Sequence, residues 1–164
     1  MTEALNPQEI SMPAINEAKL IQAEVKLRNL LVTKEVTETR RSMVRWLALS
    51  LGIINPGETR LSAIYVLDAM LYFQFQKKHD PNVEELSEYI SKSWQPINEK
   101  TLRYHLLQLK TSNIIGHSKG RYSMLFPEDG EKYDENAWIR GYFESEISPI
   151  REKIASVIRE IKKR

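Results

Sequence analysis

Apolar residues recur every three or four positions between residues 83 and 109, which is the period of amphipathic helices. One apolar face consists of Val83, Leu86 and Ile90, and a second consists of Leu102, Leu106 and Leu109. Asn82 and Asn98 stand where the N-caps of two helices belong, and Gln95-Pro96 between them ends the first helix. The pattern predicts two helices joined by a tight turn, with Asn113 as the left-handed terminator of the second.

The pattern changes from the helical period to alternation after Asn113. The apolar positions in this stretch are Ile114, Ile115, Tyr122, Met124 and Phe126, with Ser123 and Leu125 between the last three. Gly116 and Gly120 lie between the two runs, and we expect both to supply the positive φ of a tight turn. The sequence therefore predicts a β-hairpin directly after the second helix.

Further apolar stripes precede this central region. A stripe at the helical period begins at Ala14 and predicts a helix over Pro13 to Leu31. Another begins at Met43 and predicts a helix that Asn55-Pro56-Gly57 ends. Residues 60–79 are apolar around most of the helical circumference, so we expect a helix that is buried on several sides and covered by flanking helices.

The C-terminal region repeats the helical pattern. Its apolar positions are Trp138, Ile139, Tyr142, Phe143, Ile147, Ile150, Ile154, Val157, Ile158 and Ile161. Ser148 and Pro149 stand as N-cap and first-turn residues of a final helix. The stripes over 14–31 and 143–161, together with the helix at 60–79, exceed what one small core can cover. We therefore expect a homodimer that uses one or both terminal helical segments.

One stretch within the second central helix has a family resemblance. The residues Thr101-Leu102-Arg103-Tyr104-His105-Leu106-Leu107-Gln108-Leu109 resemble the recognition helix of winged helix-turn-helix transcription factors of the ArsR, MarR and PadR type. In that pattern a Thr, an aliphatic residue, a His-Leu pair and a second Leu keep similar spacing, and a wing ending in Gly-Arg-Tyr often follows. The resemblance covers residues 60–126, less than half of the chain. It implies a winged fold, DNA binding and dimerisation through helices outside the winged core.

These patterns together predict a mostly α-helical protein with a winged helix-turn-helix core, a short β-hairpin wing and long helical N- and C-terminal extensions. We divide the chain into a mobile N-terminus (1–12), an N-terminal helical extension (13–57), a winged helix-turn-helix domain (58–126) and a C-terminal helical extension (127–164). A chain of 164 residues with 41% hydrophobic residues can bury one core and is too short for a large multidomain enzyme.

Composition narrows the class of protein further. The chain has no cysteine, so disulfides, thiolate zinc sites and cysteine nucleophiles are excluded. Its N-terminus shows no basic segment followed by an apolar run, and its apolar stretches are broken by charge well before the roughly 18 residues of a membrane span. We expect a soluble cytoplasmic protein without membrane contact.

Features that could carry catalysis or metal binding have simpler interpretations. Residues 116–120 match the G-x-S-x-G pattern, but a strand follows them and no histidine lies beyond His117 to complete a hydrolase triad. The histidines at 79, 105 and 117 lack the spacing of a metal site, and we expect His105 to be half-buried and structural. Asp68 stands in an apolar context, where a surface gap or a paired buried carboxylate is expected. We expect no enzymatic activity and no cofactor.

Positive charge is concentrated in the predicted second helix and hairpin. Between residues 92 and 121 the bases are Lys92, Lys100, Arg103, Lys110, Lys119 and Arg121, and Glu99 is the single acid. Both ends of the chain are nearly balanced in charge. A basic surface on this motif is what phosphate binding requires, although a solvated face would give a milder version of the same count.

Three further arginines precede this region on the helix that begins near residue 40. Arg40, Arg41 and Arg45 can point outward together and offer a second possible phosphate contact. Because Glu35 and Glu38 lie about one turn upstream, we expect local ion pairing on a solvated surface instead.

The outward face of the second central helix is the candidate DNA-binding surface. We expect Lys100, Arg103, Tyr104 and Gln108 to approach base edges and nearby phosphates, Asn98 and Thr101 to lie near the DNA backbone, and Lys119 and Arg121 to contact phosphates from the wing. The sequence thus predicts a double-stranded DNA-binding protein, most simply a transcriptional regulator, with helix 98–113 in the major groove and the wing 116–121 on the adjacent backbone.

Two other functions stay open. The first is a winged domain that contacts protein, which Leu107 on the outward face favours, because an exposed leucine in the groove is useful only against a thymine methyl group. The second is a DNA-binding protein of replication or chromosome segregation.

Overall fold

The computed structural model describes residues 12–164, which form a mostly helical protein with a two-stranded antiparallel sheet. The elements are α1 (Lys34–Thr37), α2 (Arg40–Ser50), α3 (Ser62–Leu71), α4 (Val83–Ser93), α5 (Glu99–Thr111), β1 (Ile115–Ser118), β2 (Arg121–Met124), α6 (Glu135–Glu146) and α7 (Ser148–Lys162). A 3₁₀ turn covers Glu17–Leu20, and a π-helical turn, Tyr72–Gln76, continues α3. No helix in the described range has the length and apolar character to span a bilayer. The mobile segment expected at 1–12 lies, apart from Met12, outside the described residues.

The two helices predicted at the centre of the chain are confirmed together with their caps. Asn82 Oδ1 accepts the Glu85 N–H at 2.9 Å and Glu85 Oε1 accepts the Asn82 N–H at 3.2 Å, which is a reciprocal capping box. Asn98 Oδ1 accepts the Thr101 N–H at 2.7 Å at the start of α5. Asn113 follows α5 with a φ of 59°, the predicted left-handed conformation. Local side-chain chemistry therefore determines where these helices begin and where α5 ends.

The predicted hairpin is confirmed, with a correction to its turn. Strands β1 and β2 pair from Ile115 opposite Met124 to Ser118 opposite Arg121, so two residues form the loop. Those residues are Lys119 and Gly120, with φ values of 53° and 75°, as a two-residue hairpin turn requires. Gly116 does not supply a positive φ. It lies within β1, where an added Cβ would come within 2.9 Å of a methyl carbon of Leu125.

The predicted helix over Pro13 to Leu31 is wrong. Apart from the 3₁₀ turn, residues 12–33 are not helical, and their middle part lies against the C-terminal end of α2. The Arg28 N–H donates to the Ser50 carbonyl at 2.9 Å, and the Ser50 hydroxyl donates to the Arg28 carbonyl at 3.0 Å. The Arg28 guanidinium also donates to the carbonyls of Leu49 and Ile54, each at 2.8 Å. The bonds to Ser50 and Leu49 reach carbonyls in the last turn of α2, where helical partners are lacking or shared, and they outweigh the local helical pattern.

The arginines of α2 do not point outward together, and the expected pairing with the acids at 35 and 38 is wrong. Each side chain reaches a different element: Arg40 donates to the Asp68 carboxylate, Arg41 to the Ser93 carbonyl and Arg45 to the Glu58 carbonyl. The guanidinium of Arg41 also lies 4.3 Å from the centre of the Trp94 ring. The three cations therefore join α2 to α3, to the end of α4 and to the turn before α3.

Asp68 is a paired buried carboxylate, one of the two expected alternatives. Its side chain is only 3% exposed, and Arg40 Nε lies 2.6 Å from its Oδ1 atom. The Tyr89 hydroxyl and the Trp94 indole N–H donate to its Oδ2 atom at 2.8 Å and 2.9 Å. Burial, and then the hydrogen bond to Asp68, raise the pKa of Tyr89. Three donors thus compensate a charge that would otherwise be costly inside the protein.

Helix α3 lies at the centre of the hydrophobic core, as its wrapped apolar surface predicts. Seven consecutive residues of α3, from Ile64 to Met70, are all buried. A larger cluster combines α3 with α4, α5, the hairpin and α6, and a smaller cluster combines α3 with α2 and Ile54. Trp138 and Tyr142 of α6 belong to the larger cluster. The regions on both sides of residues 58–126 therefore contribute to the core around that segment.

The last two helices, α6 and α7, follow each other with only Ile147 between them. Ile147 between them keeps a helical conformation, and its N–H and carbonyl bond to Phe143 and Arg151 at 2.9 Å and 3.0 Å. Pro149 has no N–H to continue this pattern, and it lies in the first turn of α7, where a missing N–H is tolerated. The prediction that Ser148 is the N-cap is wrong: Ile147 occupies that position and has no capping side chain.

Candidate nucleic-acid interface

Helix α5 has one buried face and one open face. The apolar side chains of the buried face, Leu102, Leu106 and Leu109, are at most 3% exposed. On the other side lie the predicted contacts Lys100, Arg103, Tyr104 and Gln108, all of which are exposed. Tyr104 and the adjacent Leu107 are each 56% exposed. Burial of the leucine face thus holds the helix in place while it presents a mixed basic, aromatic and amide surface.

The two residues predicted near the DNA backbone lie at the first turn of α5. The Asn98 side-chain oxygen already accepts the Thr101 N–H, so only its NH₂ group remains to donate to a ligand. Thr101 is half-buried, and its exposed neighbour Lys100 follows directly from the cap. The positive end of the helix dipole and the Lys100 ammonium group therefore lie at the same end of α5.

Half of the bases counted in this region already have an acidic partner. The ion pairs are Lys92 with Glu88 at 2.7 Å, Arg103 with Glu99 at 2.7 Å and Arg121 with Glu85 at 3.1 Å. The hydrogen bond to Glu99, and then its charge, raise the pKa of Arg103. Within residues 12–164, Lys100, Lys110 and Lys119 have no carboxylate within 4 Å. The positive surface is therefore weaker than the sequence count indicates.

Two of these three acids, Glu85 and Glu88, come from α4, which the sequence count excluded by starting at residue 92. Glu84 and Glu88 of α4, together with Glu99 of α5, line a groove between the two helices. Their spacing at one helical turn is visible in the sequence, so a count over both helices could have found them. This groove borders the basic face and would repel phosphate.

The two predicted wing residues have different surroundings. Lys119 stands in the exposed two-residue turn at the tip of the hairpin. Arg121 turns back from the tip, and its guanidinium donates to the Asp80 carbonyl at 2.8 Å and to the Glu85 carboxylate at 3.1 Å. Burial of Glu85 opposes its ionisation, but bonds from the Asn82 N–H, His79 and Arg121 lower its pKa overall. Lys119 is therefore the less constrained of the two cations.

A buried amide fixes the hairpin against the loop before α4. Gln74, in the π-helical turn, accepts the Met124 N–H at 2.7 Å through its side-chain oxygen. Its NH₂ group donates to the His79 carbonyl at 2.8 Å and to the Asp80 carboxylate at 2.9 Å. The hairpin is therefore held by a polar contact inside the core as well as by apolar packing. Sequence reasoning missed this residue, because a single Gln in an apolar helix gives no indication of its partner 50 positions away.

No family model matches the chain, and no curated protein or solved structure matches it either. The function must therefore be inferred from the side chains and their arrangement.

A cavity of about 250 Å³ lies beside α5 and borders its predicted contacts. Its lining includes Arg60, Tyr104, His105 and Gln108. His105 is half-buried, as expected, and its Nε2 atom lies 2.8 Å from the Ser62 hydroxyl. Burial lowers the pKa of His105, so the imidazole stays neutral near pH 7. The cavity therefore brings Arg60, which sequence analysis did not select, next to two predicted contacts.

The arrangement offers hydrogen-bond donors and positive charge on a convex helix, and it lacks the features of a metal centre. Within the described part of the chain, no three His, Asp or Glu side chains are placed to hold a metal ion. A convex helix with exposed Lys, Arg, Tyr and Gln side chains is suited to contact a groove or a flat partner surface.

Proposed function

We propose that the protein binds double-stranded DNA, with α5 in the major groove and the β1–β2 hairpin on the adjacent backbone. The observation that carries this proposal is the open face of α5, where Lys100, Arg103, Tyr104 and Gln108 project from a helix anchored by three buried leucines. An exposed helix of this size fits the width of the major groove, and these side chains can donate to base edges and phosphates.

The order of the elements supports a winged helix-turn-helix assignment for residues 58–126. Helices α3, α4 and α5 are followed by a short hairpin, and α4 and α5 are joined by a tight turn. In such domains the last helix reads the major groove and the wing contacts the backbone beside it. The resemblance of Thr101 to Leu109 to a recognition helix points to the same placement.

Each side chain would have a distinct role in the complex. The amide of Gln108 can pair with an adenine edge and the guanidinium of Arg103 with a guanine edge, provided that Arg103 exchanges Glu99 for the base. Lys100, at the start of α5, would contact a phosphate, and Asn98 and Thr101 would approach the backbone beside it. Lys119 and Arg121 would contact phosphates from the wing. The simplest biological role is that of a cytoplasmic transcriptional regulator, and a role in replication or segregation would use the same contacts.

A second candidate function is protein binding through the same face. One observation favours it: Tyr104 and Leu107 are both 56% exposed on the open face of α5. An exposed aromatic and aliphatic pair is typical of the centre of a protein interface. Because the acidic groove repels phosphate but not a basic peptide, the dependence of binding on salt separates the two functions.

A salt-dependent titration of the full chain against random duplex and genomic fragments tests the proposal. DNA binding predicts that the logarithm of affinity falls linearly with the logarithm of salt concentration, and that Lys100→Ala reduces the slope by about 0.9. Lys77→Ala is the matched control, since Lys77 is exposed but lies outside α5 and the hairpin. A folded protein that fails to bind any duplex at about 50 mM salt would overturn the proposal.

A further inference from the structure

The C-terminal helical segment, α6 followed by α7, presents an apolar face that the rest of residues 12–164 does not cover. The apolar residues alternate in steps of four and three: Phe143, Ile147, Ile150, Ile154, Val157 and Ile161. This is the heptad spacing of a coiled-coil seam. No residue of α7 is buried, and the α7 members of the seam are between 41% and 65% exposed. The described chain contacts this helix through α6 and through a bond from Lys153 Nζ to the Gln22 side chain at 2.6 Å.

We propose that α7 pairs in antiparallel orientation with α7 of a second copy of this chain. Lys153 and Glu160 lie seven residues apart, so they border the seam on the same flank, two turns from each other. In an antiparallel pair this flank faces the same flank of the partner helix. Lys153 then meets the partner's Glu160, and Glu160 meets the partner's Lys153. The opposite flank carries Arg151 and Ile158 and places no like charges together.

A parallel pair does not use these charges. Its Lys153 flank would face the partner flank that carries Ile158, so the Lys153 and Glu160 charges would stay unmatched. It would also bring together two basic ends, each with Arg159, Lys162, Lys163 and Arg164. The antiparallel pair separates these ends and opposes the two helix dipoles. Within one chain Glu160 pairs with Lys163 at 3.0 Å, but both side chains are exposed, so exchange for Lys153 of the partner helix costs little.

The composition of the face favours a second copy over a lipid surface. Helices that lie on membranes carry Trp, Phe or Leu on the apolar side and Lys or Arg on the polar side. The apolar face of α7 consists of Ile and Val, without Trp, Phe or Leu, and its polar side carries the acids Glu152 and Glu160 among the bases Arg151, Lys153, Arg159 and Lys162. β-Branched residues at seam positions are typical of coiled-coil packing.

Charge reversal of the full chain tests both the pairing and its orientation, with sedimentation equilibrium as the readout. Lys153→Glu alone and Glu160→Lys alone should each weaken self-association by about tenfold, because each homodimer then faces like charges twice. An equimolar mixture of the two variants should recover wild-type association, since every facing pair in the heterodimer is again opposite in charge. The mixture should show no recovery if the helices pair in parallel or if another surface forms the dimer, and either result would overturn the proposal.

Crosslinking provides an independent test, because the chain has no cysteine of its own. Antiparallel pairing places Ile150 opposite the partner helix's position 161, so Ile150→Cys mixed with Ile161→Cys should form a disulfide-linked heterodimer, while each variant alone should not. Homodimeric crosslinks from each variant alone would indicate a parallel pair.

A chain that stays monomeric at about 100 μM would remove the proposal. A monomer that binds vesicles of anionic phospholipid would assign the face to a membrane surface instead. None of these outcomes depends on DNA binding.

Discussion

The Asp68 site and the open face of α5 use similar side chains in opposite ways. At Asp68, a carboxylate that is 3% exposed receives one bond from an arginine, one from a tyrosine and one from a tryptophan. On α5, the Lys100, Tyr104 and Gln108 side chains make no hydrogen bond to any part of residues 12–164. A polar group whose bonds are complete inside the protein contributes to stability, whereas one that faces water is free to bind a partner.

Polar side chains elsewhere in the interior are hydrogen-bonded in the same way as Asp68. Every buried side-chain nitrogen or oxygen in the described chain has a hydrogen-bond partner. Gln74 shows the same completeness as Asp68, since both ends of its amide are bonded. Substitution in the interior should therefore change the free energy of unfolding, and substitution on the open face of α5 should change binding alone.

The largest effect is expected from two neighbouring leucines of α5 that face opposite ways. Leu106 is 1% exposed and Leu107 is 56% exposed. Leu106→Ala should lower the free energy of unfolding by about 2 to 5 kcal/mol, because it removes a buried side chain and leaves a cavity. Leu107→Ala should change it by less than about 0.5 kcal/mol. Urea denaturation measures both, and equal losses would show that the two faces of α5 are not distinct.

The next effect concerns the interior carboxylate. Asp68→Ala should lower the free energy of unfolding by about 2 to 4 kcal/mol, because the Tyr89 hydroxyl and the Trp94 N–H each lose their acceptor. Asp68→Asn is the matched control and should cost less, since an amide oxygen can still accept. A thermal melt within error of the wild type for Asp68→Ala would contradict a stabilising role for this network.

The third prediction tests the open face. Arg103→Ala combined with Tyr104→Ala should leave folding intact and weaken binding to the preferred duplex by about 1 to 3 kcal/mol, with a much smaller loss on random duplex. Glu99→Gln is the complementary variant and should tighten binding, since it frees Arg103 and removes a negative charge. Fluorescence anisotropy measures the affinity of the wild type and of both variants for the preferred and the random duplex. Full affinity in the folded double variant would favour protein binding as the function.

The two cations of the β1–β2 hairpin allow the same comparison between a side chain without an acidic partner and one with an acidic partner. Lys119→Ala should reduce the magnitude of the salt slope by about 0.9, as the loss of one phosphate contact requires. Arg121→Ala should reduce it less, because Glu85 already neutralises much of that charge. If both variants, alone and combined, leave the slope unchanged, the wing does not belong to the interface.

The smallest effect is a pH dependence from His105, which lies between the interior and the open face. Burial lowers its pKa in the folded protein below the ordinary value of 6.5, so the unfolded chain takes up a proton first. The free energy of unfolding should therefore fall as pH decreases below about 6.5, until the folded protein is protonated too. Urea titrations at about pH 7.5 and 5.5 measure this loss, and His105→Gln should reduce it. An equal loss in that variant would assign the effect to other groups.

Features encoded by neighbouring residues could be predicted from the sequence. The caps at Asn82 and Asn98, the left-handed Asn113 and the alternation after it each depend on a few consecutive positions. The leucine face of α5 follows from the helical period, which also determines which side chains lie on the open face.

Features that depend on distant partners could not be predicted. The segment around Arg28 has a helical apolar pattern, yet its backbone bonds to Ser50, more than 20 positions away. The arginines of α2 have acids nearby in the sequence, yet Arg40 pairs with Asp68 of α3 and Arg41 donates to the Ser93 carbonyl at the end of α4. The charge of the candidate interface was overestimated partly for the same reason, since Glu85 reaches Arg121 only through the fold, whereas Lys92 and Arg103 pair with acids one helical turn away.

The π-helical turn at Tyr72–Gln76 makes the position of the hairpin sensitive to chain length. The Lys77 N–H bonds to the Tyr72 carbonyl at 3.0 Å, so this turn contains one residue more than an α-helical turn. Deletion of one residue before Gln74 would restore regular helix and rotate the Gln74 amide by about 100° around the axis. The Met124 N–H would then lose its acceptor, while the apolar face of α3 would stay unchanged. A single extra residue at this point therefore places the Gln74 amide at the Met124 N–H, which adds a polar contact to the apolar packing of the hairpin.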